Sequence, residues 1–255
     1  MRNVLLEAVD GQGRDVLPIA TDYSPGTVLD WHDHRRAQLL YAATGTMQVE
    51  TGDGARTVPG ERAVLIPPRT PHRVRMLDVQ TNSLYIEPGV VPWWPMRCRV
   101  IEVGPLLREL LLAAPELEYV GERRSDALLA LLLLELEAAR ESPLHLPLPG
   151  SAPLAELCRG YLAEPNVRVS NAQWARAAAM GERAFAREFR AATGMSPAAW
   201  RSRARLLAAV PILRHQNVTE VSALLGYASP AAFSYAFSRA LGTPPTAFRP
   251  LRGAH

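Results

Sequence analysis

A pattern of two phenylalanines, a glycine and a proline occurs twice in this chain, and the copies are 48 residues apart: Phe185, Phe189, Gly194 and Pro197 recur as Phe233, Phe237, Gly242 and Pro245. Each copy describes one helix. Its rings fall at i and i+4 on the buried side, its glycine suits the left-handed turn that closes a helix, and its proline prevents continuation. Another apolar helix ending in a tight turn precedes each copy, in WARAAAMGE and in EVSALLGYASP. The repeated unit is therefore helix, turn, helix, used twice. Two copies imply a pair of related modules, whereas a solenoid needs a longer array.

With Phe185 and Phe189 turned inward, Arg183, Arg187 and Arg190 line the outer face of the same helix. Residues 151–255 hold 13 arginines and 5 acidic residues, a net charge of +8, while residues 1–150 hold 15 arginines and 20 acidic residues, a net charge of −5. The chain has no lysine, so each fixed side-chain cation is a guanidinium able to form bidentate bonds with phosphate or guanine. An arginine stripe on the second helix of a helix-turn-helix, in a basic segment, suits docking in the major groove of double-stranded DNA. The competing reading is a solvated basic face. Between the two units, Pro211 in RARLLAAVPILRHQ predicts a kink near Ala208 or a shift in the relative placement of the two units, since proline in a helix interior costs about 3 kcal/mol.

The N-terminal part reads differently. VLDWH, QLLYAATG, TMQVETGDG, RTVPGERAVLIPP, HRVRML and SLYIEP are short strands punctuated by Gly, Pro and Asp, which predicts a small antiparallel barrel or sandwich. From Pro105 to Arg140 the period becomes helical, with PLLRELLLAAPELE followed by a helix opening at a Ser125 N-cap. That second helix carries leucines on nearly all sides, so a second subunit is expected to cover Leu131 and Leu134 in a homodimer. Glu141–Pro153 holds four prolines in thirteen residues, a linker composition. The fold class is thus α+β. The expected division is a barrel over 1–100, a helical dimerisation segment and linker over 101–153, and an all-α domain over 154–255.

No apolar run is long enough to span a bilayer, and MRNVLLEAVDGQGRD lacks the pattern of a secretory leader, so a cytoplasmic protein without membrane association is expected. Cys98 and Cys158 form no C-x-x-C and read as buried thiols.

The stretch WHDHRRAQ sets His32 and His34 two residues apart and Gln38 four further on. On a strand, i and i+2 face the same way, so the two imidazoles could converge on one atom.

MGERAFAREFRAATGMSP and VTEVSALLGYASPAAFSYAFSRALGTPPTAFR together resemble the DNA-binding domain of the AraC/XylS family of transcription regulators, over about a hundred residues. In that family two helix-turn-helix units joined by a long helix enter successive segments of the major groove. By register, the resemblance assigns base reading to Arg183, Ala186 and Arg187 in the first unit and to Ala231, Ala232 and Tyr235 in the second. The second set lacks a guanidinium, so the first unit should dominate specificity. Gly26-x5-His32-x-His34-x3-Gln38-x6-Gly45 is similar to the first cupin motif, and Pro67-x-Arg69-x2-His72 partly resembles the second, which places His72 as a third imidazole. Gln38 stands where glutamate is common, Arg69 replaces a usual glycine, and Met76 stands where an asparagine is usual.

Three readings of His32, His34, Gln38 and His72 follow: a site for a divalent metal such as Zn, Ni, Co or Fe, a metal-free pocket for a small effector, or hydrogen-bonded barrel structure. The Trp93–Trp94 pair reads as packing at the strand-to-helix junction. The resemblance implies a regulator governed by a metal ion or small effector, with no catalytic residues. The alternative is a metal-dependent cupin enzyme with an appended helical domain, which would need a general acid or base near the metal. The motif offers none beyond Asp33, expected to point outward.

Overall fold

The structure, a computed structural model, describes residues 3–77, 79–117 and 123–248. Glu118, at the end of the first expected helix, and Arg249, in the second C-terminal motif, lie outside the described residues. The chain divides into two compact units, Met1–Thr51 with Val58–Ser142 and Gly52–Thr57 with Pro143–His255.

The strands in chain order are β1 (Val16–Asp22), β2 (Val28–His32), β3 (Ala37–Ala42), β4 (Thr46–Thr51), β5 (Gly54–Pro59), β6 (Arg62–Ile66), β7 (His72–Leu77), β8 (Gln80–Ile86), β9 (Arg99–Glu102) and β10 (His145–Pro147). In the first unit one antiparallel sheet has the order β1-β8-β3-β6-β9, and a second sets β7 between β4 and β2. The expected α+β class is what forms. RTVPGERAVLIPP is two strands, because Gly60 and Glu61 turn the chain and Glu61 takes a left-handed φ of 63°. β1 and β9 were not expected. Both are edge strands, and Pro18 within β1 breaks the usual strand signature while being tolerable at an edge.

β3 is buried along its whole length. Ala37, Leu39 and Tyr41 join a core with Leu84 and Ile86 and with leucines of two helices, α2 (Pro105–Ala113) and α3 (Arg123–Glu137), after the short α1 (Leu6–Val9). Trp93 and Trp94 pack against this core, and the Trp94 indole donates to the Ile66 carbonyl at 3.1 Å. α3 starts before Ser125, so Ser125 is not its N-cap; it is a buried residue of the first turn. Leu132 and Leu136 face the core, whereas Leu131 is 40% and Leu134 63% exposed.

The second unit contains α4 (Ala152–Ala163), α5 (Asn171–Ala177), α6 (Glu182–Thr193), α7 (Pro197–Ile212), α8 (Val218–Leu224) and α9 (Pro230–Leu241). The segment expected as a linker is instead ordered. β10 pairs with β5, setting His145 opposite Arg56, and its carbonyls are held from α7: the Trp200 indole donates to Pro147 at 2.6 Å and the Arg203 guanidinium donates to Pro143 and His145 at 2.6 and 3.1 Å. α7 runs continuously through Ala208 and ends at Ile212, which sets Pro211 in its last turn. Cys98 and Cys158 are buried, and burial pushes the Cys158 thiol up to about 12.

Candidate functional site

The imidazoles assemble by a turn, not by strand alternation. β2 ends at His32, and His34 lies in the connection to β3, contrary to the expectation of one strand face. A register shift between Leu29 and His32 brings His32 opposite His72 on β7. Ring centroids then lie 4.2 Å apart for His32 and His72, 5.3 Å for His34 and His72, and 6.4 Å for His32 and His34. Gly26 and Gly45 hold left-handed φ angles of 83° and 65°, which explains those two glycines of the first motif. Arg69 takes a φ of 54° where the second motif usually has glycine.

Each ring is oriented by its own backbone. The Nδ1 atoms of His32, His34 and His72 lie 2.7, 2.7 and 2.8 Å from the carbonyls of Asp30, Arg36 and Thr70. A carbonyl can only accept, so Nδ1 carries the proton in each ring; this leaves the Nε2 lone pair available in His32 and His72, whereas His34 Nε2 faces an acceptor oxygen of Gln38. His72 is 1% exposed, and its Nε2 is buried without a hydrogen-bond partner. Burial, followed by the neighbouring His32 and His34, pulls the His72 imidazole down to about 4 against the Thr70 carbonyl and Asp33, which raise it. His34 Nε2 lies 3.0 Å from Gln38 Oε1, and the Gln38 amide donates to the Tyr85 hydroxyl at 2.9 Å and lies 3.5 Å from Ser83 Oγ. Tyr85 and Ser83 thus orient Gln38. Neither carries a motif signal, although both lie on β8 beside Gln38, which pairs in register with Tyr85.

These donors fit a divalent transition metal in kind: neutral imidazole nitrogens, one of them buried and unpartnered, with an amide oxygen beside them. They are not closed around a point, and among the described residues no group of three or more His, Cys, Asp or Glu side chains is arranged to hold an ion. Tetrahedral ligation at about 2.1 Å from each Nε2 sets ring centroids roughly 5 Å apart, so the 6.4 Å pair must draw in and the 4.2 Å pair spread. Both changes fall on His32, which is exposed at the end of β2. Beside the cluster, Arg36 is fully buried and bonds to Asp10 and Glu87, while Arg35 bonds the same two carboxylates from the surface. Burial pulls the Asp10 carboxyl upward, but the hydrogen bonds from Arg36 and Arg35 outweigh it and hold it below its ordinary value.

In the second unit, α5 with α6 and α8 with α9 form the two helix-turn-helix units, joined by α7. Each first helix opens on a reciprocal capping box, Ser170 with Gln173 and Asn217 with Glu220. Each second helix closes on a left-handed glycine, Gly194 and Gly242, as the repeat predicts. Trp174, Phe185, Phe189 and Trp200 form the first core, with adjacent ring centroids 5.7–6.3 Å apart. This leaves Arg183, Arg187 and Arg190 exposed, with Ala186 half-buried between them. On α9, Phe233 and Phe237 are buried while Ala231, Ala232 and Tyr235 are exposed. Arg239, which the repeat does not mark, is exposed on the same helix with its Nη1 3.4 Å from the Tyr235 hydroxyl. Its position one turn beyond Tyr235 was the available signal. Among the described residues no helix is long and apolar enough to cross a membrane.

Comparison with known proteins agrees with this architecture. A family described as an AraC-like ligand binding domain matches residues 18–146, and one described as a helix-turn-helix domain matches residues 174–250. The chain is 30% identical over 218 residues to the HTH-type transcriptional regulator NimR of Escherichia coli (strain K12), covering 84% of this chain and 80% of that protein. Among solved structures it is similar to ToxT from Vibrio cholerae O395, at 8% identity over 92% of this chain and 96% of that one with a TM-score of 0.38. It is also similar to the DNA-binding domain of AdpA in complex with a target DNA, at 35% identity over 38% of this chain and 90% of that one with a TM-score of 0.35. A regulator, and not a cupin enzyme, is the function these relatives support. The chain belongs to the AraC family of DNA-binding transcription regulators, with a ligand-binding domain preceding its paired helix-turn-helix units.

Proposed function

We propose that this regulator responds to a divalent transition metal, Zn, Ni, Co or Fe, held by the Nε2 atoms of His32, His34 and His72 with Gln38 Oε1 beside them. The observation that carries the reading is the common orientation of the rings: Nδ1 of each faces a backbone carbonyl, and the buried His72 Nε2 has no partner. A bound ion would supply a fixed charge tying β2, the β2–β3 turn and β7 together. That charge alters DNA binding only if the ion favours one arrangement of the protein over another. A second reading, a small organic effector held by the same polar groups, is favoured by the uneven spacing of the rings. Elemental analysis of the purified protein after exposure to each ion separates the two. An ion-to-chain ratio near unity supports the metal; protein that retains none of the four ions overturns it and leaves the organic effector.

On the DNA side, Arg183, Ala186 and Arg187 read base edges, Arg190 contacts the backbone, and in the second unit Ala231 and Ala232 offer only weak base reading, with Tyr235 beside them at a phosphate or base edge. Two copies of the chain pair through α3. Ala127, Leu131, Leu134 and Ala138 are exposed at intervals of four, three and four residues, the spacing of a helix–helix seam, and the leucines are too exposed to serve the core of their own chain.

A further inference from the structure

We infer that Arg239 and the Tyr235 hydroxyl form a clamp on one DNA phosphate, so that the second helix-turn-helix anchors the protein on the backbone while the first reads sequence. The inference extends the family's DNA-binding role and is independent of the metal.

The two units carry their charge differently. Shifted by the repeat distance, Arg183, Arg187 and Arg190 of α6 correspond to Ala231, Tyr235 and Ser238 of α9, so none of the three guanidinium positions is kept. The basic residue of α9 is Arg239 alone, and it corresponds to Ala191. Positive charge has moved toward the C-terminal end of the helix. Arg239 is seven residues beyond Ala232 and four beyond Tyr235, which keeps all three on one side. At 1.5 Å per residue, it stands about 12 Å along the axis from Ala231. In a helix-turn-helix the N-terminal residues of the second helix approach the base edges. The major groove is about 12 Å wide, so a side chain that far along the helix is at the level of the backbone and not at the groove floor.

The contact between the two side chains adds chemical direction. Arg239 Nη1 donates to the Tyr235 hydroxyl oxygen at 3.4 Å, which leaves the phenolic proton to be donated outward. Both residues are exposed, Tyr235 by 68%. The remaining guanidinium N–H groups and the phenolic O–H can then bond oxygens of the same anion, and a donor chain of this kind is strengthened by polarisation. An arginine in the last turn also complements the helix dipole, and that purely structural role is the competing account of Arg239.

The test uses the full chain and two duplexes of equal length, one enriched from a random library by the wild type and one unrelated. Affinity is measured against salt concentration, together with the thermal midpoint. Loss of one phosphate contact lowers the slope of log affinity against log salt by about 0.9. Arg239→Ala is expected to lower the slope by that amount on both duplexes and to weaken binding about ten-fold on each, while preference among single base changes stays the same. Arg239→Lys should keep the slope, and Tyr235→Phe should weaken binding less than Arg239→Ala with the slope unchanged, because a hydroxyl releases no counterion. An unchanged slope in Arg239→Ala overturns the clamp, and an accompanying fall in thermal midpoint would assign the residue to the helix terminus instead. A change in preference at one base position would make Arg239 a base reader and also overturn it. A wild type that enriches no duplex and binds neither would overturn the DNA-binding role itself.

Discussion

The backbone N–H of Arg69 donates to the carbonyl of His34 at 2.8 Å, and Arg69 holds a left-handed φ of 54° where it does so. The turn carrying one imidazole is thereby pinned to the loop that leads to another. Left-handed backbone is costly for a residue with a Cβ, and glycine removes that cost at the expense of greater freedom in the unfolded chain. Arg69→Gly should stabilise the protein by about 0.5–1 kcal/mol and leave metal uptake unchanged. Denaturant unfolding checks this; a lower midpoint would mean that the Arg69 side chain contributes more than the strain of its backbone.

Arg183→Ala and Arg187→Ala should each weaken binding to the selected duplex by about 1–3 kcal/mol, with a much smaller effect on unrelated DNA. Tyr235→Phe should cost less than either. Titrations of the three variants on both duplexes give the ranking, and a Tyr235 variant worse than the arginine variants would reverse the assigned roles of the two units.

Replacing both Leu131 and Leu134 with Asp should yield monomers, because neither side chain is needed by the core of its own chain and charge on the seam opposes pairing. Sedimentation shows the outcome. An unchanged oligomer mass would place the subunit contact elsewhere.

Acid should weaken the fold in a defined window through His145. Burial, then the nearby Arg56 and Arg203 charges, hold its imidazole down at about 4 against an ordinary value of 6.5, with Asp53 opposing. The unfolded chain therefore takes up a proton that the folded chain refuses. Stability is present in full above pH 6.5 and is lost as pH falls from there toward about 4. Asp10, held below 3.8, adds its own loss only at lower pH. Urea midpoints at pH 7, 6, 5 and 4 should fall most between 6 and 4, and His145→Asn should reduce that fall, leaving the part due to His72, which burial also holds down at about 4. A profile equally steep in the variant would remove His145 as the cause.

The helical half was the more legible in sequence, because each feature is local: a Phe pair at i and i+4, a closing glycine and a proline mark a helix within a dozen residues. The barrel was partly legible. β2 and β7 match VLDWH and HRVRML end to end, yet β1 was hidden by Pro18, and β10 by prolines whose carbonyls are held by Trp200 and Arg203 more than fifty residues away. The three histidines were legible as a set but not in their geometry. His34 reaches the cluster through a turn fixed by Arg69 and Arg36, and the bulge in β2 that aligns His32 with His72 leaves no mark in composition. Tyr85 and Arg239 were missed for a related reason: each acts through a neighbour, Gln38 and Tyr235, that a motif does mark.

The central claim, that the imidazole cluster governs DNA binding, is tested most directly by measuring affinity for the selected duplex in wild type and in a His32→Ala, His34→Ala double variant, metal-free and with each of Zn, Ni, Co and Fe. The account predicts that at least one ion changes wild-type affinity, that the double variant retains no metal and shows no response, and that its metal-free affinity stays within about two-fold of wild type, as Arg183 and Arg187 remain in place. A response preserved in the double variant, or absent from wild type with all four ions, would contradict it.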